Sequence, residues 1–138
     1  MLQFLKTIMN KVSPLKRFGQ NYLQDQNIIK KIISEIDPKE NELIIEIGPG
    51  QGAITKMLLE SKANLTAVEI DKRVIDDLQT RYIDLQLLQS DFLKLNLSQF
   101  KDSSEKKLRV VGNIPYNITS PILFKLFENN TIVSDSVF

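Results

Sequence analysis

An apolar run from Leu43 to Ile47 breaks into Gly48-Pro49-Gly50-Gln51-Gly52, and a helical spacing of Ala53, Ile54, Met57, Leu58 and Leu59 follows at once. Strand, glycine-rich turn and helix in this order constrain the chain more than any other feature. They make one βα unit of a parallel sheet, with a turn that brings backbone against a nucleotide-like ligand. Glycine supplies the positive φ values such a turn needs. Further apolar runs, Leu65 to Val68, Leu85 to Leu88 and Leu108 to Val111, recur downstream, with a helical pattern from Lys72 to Tyr82 between two of them. This alternation predicts a doubly wound parallel α/β sheet.

Ahead of the glycine turn, Gln26 to Ile36 reads as a helix capped by Asp25, with Ile28, Ile29, Ile32, Ile33 and Ile36 on one apolar stripe. Asp37-Pro38-Lys39-Glu40-Asn41 closes it. The polar run Lys101 to Lys107 reads as a solvated loop, and Ser120-Pro121 as the start of a last helix, where an early proline costs little. Leu123, Phe124, Leu126 and Phe127 read as packing residues, and Ile132 to Phe138 as a further strand.

The strand ends carry the chemistry. Glu69 follows the second run, 21 positions beyond Gly48, where a carboxylate can accept both hydroxyls of a ribose. Asp91 follows the third, in Ser90-Asp91-Phe92, and can accept from an adenine amino group while Phe92 covers the ring. Asn113-Ile114-Pro115-Tyr116 follows the fourth. Here the Asn113 side-chain oxygen and the Ile114 carbonyl offer two acceptors, held by the restrictions that Pro115 places on the backbone. Tyr116 adds an aromatic face, and stacking of a base on such a ring is worth roughly 1 to 3 kcal/mol. Gly48, Gly50 and Ala53 also satisfy the dinucleotide fingerprint, so the glycine loop alone leaves a nicotinamide enzyme open.

With no His and no Cys, the chain has no imidazole base, no thiolate nucleophile and no standard zinc site. A length of 138 residues with 42% hydrophobic content suits one domain with a core. No apolar stretch reaches the ~18 to 20 residues of a membrane helix.

Taken in order, Glu46-Ile47-Gly48-Pro49-Gly50, Val68-Glu69-Ile70-Asp71, Asp91-Phe92 and Asn113-Ile114-Pro115-Tyr116-Asn117-Ile118-Thr119-Ser120-Pro121 resemble the small-subunit rRNA adenine dimethyltransferases, which use S-adenosylmethionine. Arg17-Phe18-Gly19-Gln20-Asn21-Tyr22-Leu23 resembles that family's first motif, with Tyr22 where the family more often has Phe. Macrolide-resistance rRNA methyltransferases and mitochondrial transcription-factor relatives share much of the pattern. Pro49, Pro121 and Phe18-Gly19 look more like the housekeeping dimethylases.

The resemblance implies a Rossmann-like class I methyltransferase sheet, truncated before its last strands, without the helical carboxyl-terminal domain of family members. It implies a cofactor site lined by Asn21, Leu23, Gly48, Gly50, Glu69, Asp91 and Asn113, with Asn113, Ile114 and Tyr116 receiving the adenine. Glu46 would support the cofactor site indirectly, as a strand-end carboxylate oriented by backbone amides. The implied partner is small-subunit rRNA, bound by a monomer that needs neither metal nor membrane. A non-catalytic nucleic-acid-binding relative stays open as an alternative.

Residues 1 to 24 hold Lys6, Lys11, Lys16 and Arg17 and no acid, a local +4 that leaves −3 for the rest of a chain whose net charge is +1. Residues 1–24 therefore read as a basic amino-terminal arm, disordered or helical and facing RNA, ahead of a methyltransferase domain at 25–138. The same segment, with Leu2, Phe4, Leu5, Ile8, Met9 and Val12 among its lysines, also fits an organelle-targeting leader. It lacks the Arg and Ser richness of a transit peptide, which favours the arm and a cytoplasmic protein.

Overall fold

A computed structural model describes residues 5–6 and 24–138. Its elements run β1 (Leu5–Lys6), α1 (Gln26–Ile36), β2 (Leu43–Ile47), α2 (Ala53–Glu60), β3 (Asn64–Glu69), α3 (Lys72–Arg81), β4 (Gln86–Gln89), β5 (Leu108–Gly112), α4 (Tyr116–Glu128) and β6 (Val133–Val137). Two short 3₁₀ turns, Phe92–Lys94 and Leu97–Phe100, lie between β4 and β5. The sheet order is β1-β6-β5-β2-β3-β4 and every pair is parallel.

The apolar runs become strands because both faces of the sheet are covered. On one side Ile32 and Ile36 of α1, Ile54 and Leu58 of α2 and Leu78 of α3 pack with Ile44, Ala67 and Val111. On the other, Ile122 and Leu126 of α4 with Phe92 and Leu97 pack against Ile45, Ile47, Val68 and Val110. Asp25 starts α1 as expected, its Oδ1 accepting from the amides of Asn27 (2.9 Å) and Ile28 (3.4 Å). Asp37 ends it in the left-handed region, with φ 47°.

Three expectations need correction. Helix α4 begins at Tyr116, not at Ser120, because Pro115 is extended (φ −62°, ψ 147°) and its carbonyl accepts from the Ile118 amide (3.2 Å) and the Thr119 hydroxyl (3.1 Å). Pro121 therefore lies inside the helix, where it has no N–H to offer the carbonyl four residues back. Phe124 and Phe127 are not core: they are 73% and 50% exposed, since Ile122 and Leu126 take the inward face of α4. Within the basic arm, Leu5–Lys6 forms an edge strand beside Ser136 and Val137, rather than disordered or helical chain.

A polar clamp ties the opposite end of the sheet. Arg109 of β5 donates to both oxygens of Asp135 on β6 (2.8 and 2.9 Å), to Glu42 (2.9 Å) and to the Ile36 carbonyl at the end of α1 (2.6 Å).

Candidate cofactor and substrate cleft

Parallel register determines which residues meet. Ile47 is level with Val68 on one side and Gly112 on the other, while Glu69 is level with Gln89. Gly48, Glu69, Ser90-Asp91 and Asn113 thus leave the carboxyl ends of four adjacent strands in a row. The helices reach opposite faces of the sheet on either side of the β2–β5 boundary, so a crevice opens there, as at the switch point of other open α/β sheets. The cleft has a volume of about 770 Å³ and is lined by Gly48, Gly50, Glu69, Asp91, Asn113 and Ile114 among others.

Each wall has a local cause. Gly48, Gly50 and Gly52 adopt φ of 62°, 55° and 83°, the left-handed region that side chains rarely occupy. The Gly48 amide bonds the Val68 carbonyl at 2.9 Å, locking the turn to β3. Arg81 of α3 secures the same loop by donating to the Gln51 carbonyl (2.6 Å).

Glu69 turns back on its own strand end, with Oε1 accepting from the amides of Ile70 (2.8 Å) and Asp71 (2.9 Å). Asp91 caps the first 3₁₀ turn through the Leu93 amide (3.0 Å). In both cases one carboxylate oxygen fixes the group and the residue still lines the cleft. Phe92 is 4% exposed and belongs to the core beneath α4, although its edge reaches the cleft.

Asn21 and Leu23 lie outside the described residues, as does the Tyr116 side chain; the Tyr116 backbone opens α4. Glu46 departs from expectation. It is not at the strand terminus, and among the described residues it is not held by amides: it is 2% exposed and accepts from the Thr55 hydroxyl at 2.6 Å. Burial pushes its carboxyl up to about 7, against the Thr55 hydrogen bond that lowers it, and the nearby Glu69 charge raises it further.

Sequence reasoning missed two kinds of residue. Asp71 and Arg73 line the cleft, joined by bonds of 3.0 and 2.6 Å; Asp71 was legible only as the last residue of the Val68-Glu69-Ile70-Asp71 motif, and Arg73 carried no signal of its own. Gly112 needs to be glycine because a Cβ there would sit 2.6 Å from the Ile47 carbonyl oxygen. A glycine at a strand end, where backbones approach closely, was the available signal.

A parallel doubly wound sheet with a glycine turn and acids on successive strand ends is the architecture of Rossmann-like methyltransferases. The 23S rRNA methyltransferase ErmE superposes with TM-score 0.66 and 29% identity, over 80% of this chain and 44% of that one. A dimethyladenosine transferase from Plasmodium falciparum gives TM-score 0.67 and 27% identity, over 83% of this chain and 42% of that one.

The chain belongs to the ribosomal RNA adenine dimethylase family, which matches residues 13–138. The ribosomal RNA small subunit methyltransferase A of Francisella tularensis subsp. novicida is 44% identical over 131 residues, 93% of this chain and 50% of that protein. The counterpart in Francisella tularensis subsp. tularensis strain WY96-3418 is 43% identical over the same span. The chain thus spans about half the length of the curated relatives it matches.

Proposed function

We propose that these residues form the S-adenosylmethionine-binding part of an enzyme that dimethylates adenine amino groups in small-subunit rRNA during ribosome assembly, in the cytoplasm. The observation that carries this reading is the convergence of Gly48, Glu69, Asp91, Asn113 and Ile114 on one cleft. Glu69 suits ribose hydroxyls, Asp91 the cofactor's adenine amine, and the glycine turn the amino-acid end. Asn21 and Leu23 are assigned to the same cofactor by family resemblance.

The donor set fits a cationic ligand. Among the described residues, Glu69, Asp71 and Asp91 line the cleft with one guanidinium, Arg73, a balance that favours a sulfonium over the doubly charged pyrophosphate of a nicotinamide cofactor. When bound, the sulfonium supplies an already activated methyl group, so no acid or base is required to generate the electrophile. The chain's own task is alignment, which can contribute on the order of 7 to 11 kcal/mol. Asn113 and the Ile114 carbonyl accept from the target amine, orient its lone pair and stabilise positive charge as it develops. Tyr116 is assigned to stacking on the substrate base.

Likeness to ErmE keeps a large-subunit substrate in view, but at 29% identity it supports that reading less than the 44% shared with the small-subunit relative. Calorimetric titration with S-adenosylmethionine beside NAD tests the assignment. The sulfonium ligand is expected to bind and NAD is not, and Glu69→Ala is expected to weaken binding by about 1.5 to 3 kcal/mol. Binding of NAD alone would overturn it.

A further inference from the structure

Helix α4 ends close to the opposite wall of the cleft from the one at which it begins. Its first residue follows Asn113-Ile114-Pro115, and in its last turn Lys125 reaches the segment after β4. There Lys125 Nζ donates to the Leu93 carbonyl (3.0 Å) and to the Leu95 carbonyl, and stands 5.8 Å from the centre of the Phe92 ring. Leu93 lies within the 3₁₀ turn that Asp91 caps through the Leu93 amide, and Leu95 follows directly after it. A cation on the carbonyl end and a carboxylate on the amide end therefore clamp a single turn from both sides.

We propose that Lys125 is a positioning residue: by tying the turn Phe92–Lys94 to α4, it aims Asp91 at the amino group of the cofactor's adenine. The inference rests on the cofactor reading above. Nine residue steps of helix, about 13.5 Å at 1.5 Å per residue, separate Lys125 from Tyr116, so one continuous helix carries both the substrate-side loop and the latch. A turn of three residues has little stability of its own, and its orientation depends on such outside contacts.

The test compares binding of S-adenosylhomocysteine with that of S-inosylhomocysteine, in which a carbonyl replaces the amine that Asp91 would accept from. The wild-type chain is expected to prefer the adenine ligand by about tenfold or more, the equivalent of one charged hydrogen bond. In Lys125→Met that preference is expected to collapse to about twofold, through loss of adenine affinity with little change for the inosine ligand. Lys125→Arg, which can still reach both carbonyls, is expected to restore most of it. In the same variants, hydrogen exchange at the Leu93 amide is expected to speed up with Met and not with Arg, while β2 and β5 amides stay unchanged.

Equal loss of both affinities in Lys125→Met, or an unaltered preference, overturns the proposal. So does a variant that fails to fold, since the side chain would then hold the domain and not the turn. If the wild-type chain binds neither ligand, it is the cofactor reading that has failed, and the Leu93 exchange comparison still decides whether the latch exists.

Discussion

Glu46 shows how one buried residue links the cleft to stability. Its buried carboxyl accepts from the Thr55 hydroxyl, and its ordinary value of 4.5 rises to about 7 on burial. Between those values the unfolded chain has lost the proton and the folded chain still holds it, so stability falls as pH rises through this window. Above about 7 the loss is complete. From pH 5 to pH 8 the group is expected to remove about 2 to 3 kcal/mol, and Glu46→Gln, which keeps an acceptor for Thr55, is expected to abolish that slope. Urea unfolding at the two pH values checks this; a wild-type slope that survives in Glu46→Gln would assign the effect elsewhere. Asp37 and Asp102 titrate below the ordinary carboxylate range, the first through Lys39 and the second through Ser104, and so lie outside the window. Sequence could place Glu46 before the glycines, but its burial depends on α2 folding back to bring Thr55 above it. Gly112 was hidden in the same way: only the approach of β5 to Ile47 reveals why a Cβ is excluded.

Among elements, those defined by periodicity were legible and those defined by competition were not. The strands around Leu43, Leu65, Leu85 and Leu108 and helices α1 to α3 follow from apolar spacing, because both faces of the sheet need covering. Helix α4 has two prolines competing to start it, and the extended Pro115 wins over Pro121. Its aromatic residues could not be placed without knowing which stripe meets the sheet. Arg109 interrupts an apolar strand, a signal of a specific polar partner that sequence could not name. It joins α1, the loop before β2, and β6, with its guanidinium held above its ordinary value chiefly by the Asp135 hydrogen bond. Arg109→Met is expected to cost about 2 kcal/mol, less than a fully buried pair because Asp135 and Glu42 retain some solvent contact. Arg109→Lys is expected to recover only part, since an ammonium cannot make the paired contact with Asp135. Guanidinium unfolding of the three proteins measures both; a neutral Arg109→Met would mean that the clamp adds nothing to stability.

At the scale of the whole molecule, binding the cofactor and capturing RNA make different demands. All 17 acidic residues and 14 of the 18 basic ones fall within residues 24–138, so this part carries −3, and among the described residues carboxylates outnumber guanidinium groups along the cleft. That balance suits a sulfonium and opposes a polyphosphate strand, whose binding draws on clustered Lys and Arg. An adenine inside structured RNA must also be drawn out of its stack, at a cost of a few kcal/mol that contacts around the cleft have to offset. The 138 residues alone are therefore expected to bind S-adenosylmethionine but transfer its methyl group slowly. Fused to the second half of the Francisella relative, of which they match 50%, they are expected to act at least about tenfold faster on under-methylated small ribosomal subunits. Asn113→Ala in the fused protein is expected to remove most of that gain while leaving cofactor bound, because the role proposed for the acceptors at this loop is to engage the target amine. Radiolabel transfer under single-turnover conditions decides. Equal rates for the short and fused proteins would show that the present residues suffice to capture RNA, and an active Asn113→Ala would remove the substrate loop from the chemistry.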